Sequence, residues 1–184
     1  MEKKLILNHK ETTIILKRLA LELIENHTDL SQTAIIGLQP RGIYPARLIH
    51  QFVQEFTQNK QVNYGELDHT FYRDDFRRGE SLKMPHPIKI DFPIEGKKVI
   101  LVDDVVYTGR SVRAAMDALS SYGRPAKIEL LALIDRRYNR ETPIMTDYCG
   151  RVIDSRAKEH KVIVDWNEDN MNVWLLNPIS NETI

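Results

Sequence analysis

The chain has 184 residues, 42% of them hydrophobic, which suits one domain with a sizeable core. Its 26 basic residues balance 26 acidic ones, so no global field draws it to nucleic acid or a membrane, and only a local basic face is left open. The single cysteine, Cys149, excludes a disulfide framework, and no apolar run nears the roughly 20 residues of a membrane span or builds a signal peptide, so a cytoplasmic location is expected.

Residues 10–26 place Ile14, Ile15, Leu19, Leu23 and Ile24 at helical spacing with charges on the other faces, which predicts an amphipathic helix. Ala34 to Leu38 reads as a short buried strand, and Gln39-Pro40-Arg41-Gly42 as the loop after it. A second helix is expected over Ile43 to Gln58, with Pro45 tolerated in its first turn. Val62 to Tyr72 is strand-compatible, and Ile88 to Phe92 is expected to return as a short strand. Between them the pattern loses its periodicity and becomes charged, which predicts a mobile loop over about residues 73–87.

Val99-Ile100-Leu101-Val102 reads as a strand buried on both faces of a parallel sheet. Asp103-Asp104 follows where that strand is expected to end, and Thr108-Gly109-Arg110-Ser111 forms a small hydroxyl-bearing turn ahead of a helix from Val112 to Leu119. Gly123 and Pro125 stop the helix. Lys127 to Ile134 is a further buried strand, ending at Asp135-Arg136-Arg137. Val162 to Trp166 and Val173 to Leu176 read as two strands joined by an acidic turn. Strand, loop and helix recur, which argues for βαβ units around a parallel sheet.

The acidic pair carries the chemistry of the reading. Two adjacent carboxylates repel unless something cationic or hydroxylic occupies the site. Carboxylates accept hydrogen bonds from sugar hydroxyls, and a helix N-terminus with a glycine turn holds phosphate. A sugar phosphate fits both; a strand–turn–helix without a ligand is the simpler alternative. Arg41-Gly42 lies at the carboxyl end of another expected parallel strand, where open α/β sheets bind ligands. Arg73 begins the charged loop and is placed to bring positive charge to a leaving group if the loop closes over the site.

The run from Val99 to Ser111 matches the phosphoribosyl-pyrophosphate (PRPP) signature of the type I phosphoribosyltransferases. Leu38 to Tyr44, Gly65-Glu66-Leu67-Asp68, Phe71-Tyr72-Arg73-Asp74-Asp75, Asp103 to Asp117 and Gly123-Arg124-Pro125 narrow the likeness. Together they resemble the pyrimidine-operon attenuator proteins that double as uracil phosphoribosyltransferases, across nearly the whole chain. The resemblance implies a type I phosphoribosyltransferase fold: one α/β domain, residues 1–184, with a parallel sheet flanked by helices, a mobile β-hairpin loop, and a small hood chiefly from about 140–184. The implied reaction is uracil plus PRPP giving UMP and pyrophosphate, with Mg²⁺ carried by PRPP and no direct protein ligand.

Carried over by motif position, Asp103 and Asp104 bind the ribose hydroxyls and Thr108, Gly109, Arg110 and Ser111 cradle the 5′-phosphate, with Val105, Val106 and Tyr107 completing the PRPP-binding run. Arg41 and Gly42 line the pyrophosphate pocket, joined by Arg73. Asp135, Arg136 and Val162 are the positional candidates for the base. A UMP-responsive contact with a messenger-RNA leader is the companion expectation, with Arg18, Arg137, Arg140 and Arg151 as candidates drawn from a basic set that also holds Lys10, Lys17 and Lys158. The sequence departs from the family pattern at residues 137–140, with one extra residue and more charge. A homodimer or homotetramer is expected from the family. The rival readings are a mainly RNA-binding regulator and a phosphoribosyltransferase for a purine base.

Overall fold

The computed structural model describes residues 2–59, 61–74, 85–154, 160–167 and 170–177. The central part of the expected mobile loop (75–84), Lys158 and the middle of the acidic turn near 168 lie outside the described residues.

Five parallel strands form the main sheet in the order β3-β2-β4-β5-β6. They are β2 (Thr33–Leu38), β3 (Asn63–Leu67), β4 (Lys98–Val106), β5 (Lys127–Asp135) and β6 (Tyr148–Val152). A second, antiparallel sheet of three strands runs β1-β8-β7, from Glu2–Leu7, Val173–Asn177 and Lys161–Val164. The helices are α1 (His9–Asn26), α2 (Ile43–Thr57) and α3 (Arg110–Leu119). Among the described residues no helix is long and apolar enough to cross a membrane.

Strand alternation divides the core. On β4, Ile100 and Val102 join α1, α2 and the small sheet in one cluster, while Val99 and Leu101 join α3 in another. Both faces of β4 are therefore dry, which is why its sequence is a continuous apolar run rather than an alternating one. Leu7, Val164 and Val173 share the first cluster, so the small sheet sits on the α1/α2 side.

Three local readings change. β4 does not stop at Val102; it pairs with β5 as far as Val106, because Asp103, Val105 and Val106 lie in register with Ala132, Ile134 and Asp135. The acidic pair thus sits inside the strand's last turns of pleat. The expected return strand near Ile88–Phe92 contracts to one bridge between Glu66 and Lys89, with Thr70–Tyr72 wound into a 3-10 turn instead. β1 and β6 add strands that periodicity did not reveal.

Candidate active site

The carboxyl ends of β2 and β4 lie side by side, so the loop after β2 and the acids of β4 face one rim. Alternation turns Asp104 to the face that carries α2 and the small sheet. There its Oδ2 accepts from Arg41 Nε at 3.0 Å and from the Trp166 indole Nε1 at 3.5 Å. Arg41 also donates to the Val164 carbonyl at the end of β7. Trp166 stacks on Tyr44 with ring centroids 5.7 Å apart and planes 12° from parallel. Asp104 is buried, whereas Arg41 is half-exposed.

Asp103 is held by the backbone: its Oδ1 accepts from the Asp104 N–H at 2.9 Å, and Asp104 Oδ1 accepts from the Val105 N–H at 2.8 Å. Burial pushes both carboxyls up from the ordinary aspartate range, and for Asp103 the adjacent Asp104 pushes further. The Arg41 guanidinium and the Trp166 N–H pull Asp104 back toward ionisation. A site that strains to hold two negative charges favours hydroxyl donors and cations.

Gly42 brings the β2–α2 loop against this rim. A side-chain carbon there would collide with the Val102 carbonyl, lie 2.7 Å from the Leu38 carbonyl and 3.0 Å from Asp103 Cα. All three obstacles are backbone, so only glycine fits. The Gln39–Pro40 peptide bond just before it is cis.

Beyond Val106 the chain turns into α3 through Gly109, whose φ of 86° is left-handed. The first N–H groups of α3 lack intrahelical acceptors, and the Thr108 and Ser111 hydroxyls flank them. This turn is braced from outside: Arg140 donates to the Tyr107 carbonyl at 2.5 Å and to the Ile144 carbonyl at 2.9 Å, and Thr142 Oγ1 donates to the Thr108 carbonyl at 3.1 Å. Arg110 pairs with Glu141 at 2.6 Å and Asp74 at 3.7 Å. Arg73 Nη1 donates to Ser111 Oγ at 2.6 Å. Val105 and Val106 pack into the two cores and contribute backbone alone to the rim.

The structure thus brings Arg41, Gly42, Asp103, Asp104, residues 107–111 and Arg73 to two adjoining strand ends. Of the base candidates, Arg136 lies with its guanidinium carbon 4.1 Å from the Tyr107 ring centroid and donates to the His160 carbonyl at 2.8 Å, next to β7 and Val162. The Asp135 carboxylate is engaged internally, by Arg140 at 2.7 Å and Thr146 at 2.8 Å. The RNA candidates separate. Arg140 is spent on the brace just described, with its side chain 15% exposed. Arg18, exposed on α1, donates to the Cys149 and Gly150 carbonyls, both at 3.0 Å, and exposed Arg151 donates to the Ile6 carbonyl at 3.0 Å. Arg137 is exposed, follows the end of β5 that is level with Val152, and with Arg18 opposes the upward push that burial gives the Cys149 thiol. Trp166 and the bracing role of Arg140 were not foreseen. Their contacts span 62 and 33 residues of chain and leave no local signal.

The parallel sheet whose central strand carries two acids to its rim and runs on into a glycine turn and a helix N-terminus is that of a phosphoribosyltransferase, since residues 3–168 match the model of the phosphoribosyl transferase domain. Among solved structures, a hypoxanthine-guanine phosphoribosyltransferase from Bacillus anthracis superposes with a TM-score of 0.66 at 19% identity, covering 84% of this chain and 86% of that one. A hypoxanthine phosphoribosyltransferase from Staphylococcus aureus gives 0.63 at 18%, covering 83% and 79%. These likenesses establish the fold.

Sequence relatives are closer. A bifunctional protein PyrR from Desulfosudis oleivorans is 42% identical over 160 residues, 86% of this chain and 88% of its own length. Its namesake from Bacillus subtilis is 40% identical over 173 residues, 93% and 94%. The chain belongs to this PyrR family of phosphoribosyl transferase proteins.

Proposed function

We propose that the chain transfers the phosphoribosyl group of PRPP to uracil, forming UMP and pyrophosphate. The acidic pair of β4 running straight into the N-terminal turn of α3 supports this most directly, since one ligand with ribose hydroxyls and a 5′-phosphate satisfies both. In the reaction a bond forms from the uracil ring nitrogen to the anomeric carbon, the bond to pyrophosphate breaks, and the ring N–H proton is released. Positive charge gathers on the ribosyl carbon between these events. Asp103 and Asp104 hold the hydroxyls, and Asp104 lies near enough to stabilise that charge. Residues 107–111 hold the 5′-phosphate, while Arg41 and the backbone at Gly42 line the pyrophosphate end. Positioning and fixed charge do the catalysis.

Mg²⁺ fits as a passenger on PRPP. The donors at hand are the two adjacent carboxylates, which suits an ion that keeps most of its ligands as phosphate oxygens and water. When bound it neutralises the departing pyrophosphate.

For the base, Arg136 over Tyr107, tied to His160 beside Val162, offers a flat wall between rim and small sheet. Asp135 supports that wall through Arg140 rather than by presenting its own oxygens. A turnover panel of uracil, hypoxanthine, guanine and orotate with PRPP and Mg²⁺ tests the reading. Uracil alone is expected to give nucleotide; turnover of hypoxanthine or guanine without uracil would replace it with a purine enzyme.

The relatives are named bifunctional, and the exposed Arg18, Arg137 and Arg151 near β6 supply basic groups for the second role, a UMP-responsive contact with a pyrimidine leader RNA. Binding of such an RNA should weaken steeply with salt and fall in Arg137→Ala. A flat titration with and without UMP would remove this role.

A further inference from the structure

Arg73 sits on the phosphate turn, and its position carries an assignment beyond the one its place in the sequence implies. Three consecutive residues are each tied to α3 or to the 3-10 turn Ser120–Tyr122 that follows it. The Tyr72 hydroxyl meets Ser121 Oγ at 3.0 Å, Arg73 Nη1 donates to Ser111 Oγ at 2.6 Å, and Asp74 pairs with Arg110 at 3.7 Å. The backbone supports the same geometry, with the Tyr72 N–H donating to the His69 carbonyl at 3.1 Å. This stretch therefore lies along α3, with Arg73 at the end where the helix N–H groups emerge.

Resting on the sugar-phosphate reading above, we propose that Arg73 is a ligand of the 5′-phosphate, and not of the pyrophosphate. The 5′-phosphate and the pyrophosphate leave the ribose from opposite ends of the ring. Ser111, the second residue of α3, borders the first of these ends; Arg41, tied to Asp104 and to the end of β7, borders the other. A guanidinium anchored within hydrogen-bond distance of Ser111 Oγ reaches a phosphate seated at the helix N-terminus by keeping its place and adding a second N–H. Arg110, the other cation of this turn, is drawn outward to Glu141 at 2.6 Å and to Asp74. Arg73 thus brings a bidentate donor to a turn whose other contributions are backbone N–H groups and hydroxyls. Its consequence is specificity: a ligand is recognised by its 5′-phosphate whether or not it carries pyrophosphate, so substrate and nucleotide product share this contact.

The test is direct binding to the full chain by calorimetry, with ribose 5-phosphate, UMP, and inorganic pyrophosphate plus Mg²⁺ as separate probes. Arg73→Ala is expected to weaken ribose 5-phosphate and UMP by about tenfold to hundredfold, the range of a hydrogen bond to a charged group, and to leave pyrophosphate unchanged. Retained pyrophosphate binding shows in the same variant that the fold is intact. Arg73→Lys should recover part of the loss through charge alone. Weakening of pyrophosphate with UMP unaffected, equal weakening of all three, or no change in any overturns the assignment. If the unmodified chain binds neither ribose 5-phosphate nor UMP, the sugar-phosphate reading itself fails, which is a different result.

Discussion

Burial and the neighbouring Asp104 push the Asp103 carboxyl above the ordinary aspartate range, so the folded chain keeps a proton there that the unfolded chain releases. A group raised on folding contributes stability below its unfolded pKa and loses that contribution as pH climbs toward the folded value. Asparagine in its place has no proton to lose and can still accept from the Asp104 N–H. Asp103→Asn is therefore expected to melt higher than the parent at pH 7, with the gap closing near pH ~4, the ordinary aspartate pKa. Thermal melts across that range check it, and a lower melting temperature at pH 7 would show that the pair is not strained. Asp104→Asn has a different signature. On the proposed reading it removes the charge nearest the ribosyl carbon while keeping shape, so turnover should fall about a hundredfold or more, a loss far larger than any shift in stability. Near-normal kinetics would remove Asp104 from the ribose site.

At the scale of elements, the rim was legible where chemistry and chain run together. Val99 to Ser111 predicts strand, acids, turn and helix from composition alone, and Arg41-Gly42 falls at the next strand's end as expected. What escaped the sequence is set by partners far along the chain. β1 has no alternation of its own and is defined by pairing Lys3 and Leu5 with Leu176 and Trp174. β6 is short, with Gly150 so close to the Leu133 carbonyl that no side chain fits. The strand end after Val102 was misread because acids are rare in strands, yet β5 continues the pairing to Val106 and backbone N–H groups with Arg41 and Trp166 satisfy the two carboxylates there. Gly42→Ala tests the closeness of β2's loop to β4: the added carbon must move backbone, so stability should drop by roughly 1–3 kcal/mol in denaturant titration, with PRPP affinity falling too. The opposite end of the sheet offers a second element-level test. His27, capping α1, lies 2.7 Å from Glu129 of β5 and 3.2 Å from the Tyr148 hydroxyl of β6. Burial lowers the His27 pKa despite Glu129, so its neutral form belongs to the fold and stability is lost as pH falls below its unfolded value of about 6.5. Glu129 is held below its ordinary range by Lys127 and His27, against burial, and its contribution is lost only at lower pH. The parent should therefore lose melting temperature between pH 7 and 5 more steeply than His27→Gln. Parallel slopes would mean that His27 titrates as it does in the unfolded chain.

Across the whole molecule, the two sheets meet through one apolar cluster and through the rim itself. Arg41 spans from Asp104 to the Val164 carbonyl, and Trp166 reaches from the small sheet's β7 end to the same carboxylate while stacking on Tyr44 of α2. A sugar that donates hydroxyls to Asp104 competes for the acceptor that Arg41 and the indole now share. On the proposed reading, occupancy of the rim alters the surroundings of Trp166 and so couples the small sheet to the ligand. The chain carries two tryptophans, so the coupling is readable. Trp174 is anchored elsewhere, donating to Asp165 at 2.7 Å with the Lys3 ammonium 4.0 Å from its ring centroid. Adding PRPP with Mg²⁺ should change the intrinsic fluorescence, the change surviving Trp174→Phe and vanishing in Trp166→Phe. The removal of the indole N–H should also raise the pH at which the acidic limb of kcat/KM appears, because that N–H favours the ionised form of Asp104. A saturable signal carried by Trp174 instead, or an acidic limb that does not move, would mean that the small sheet covers the rim without responding to what fills it.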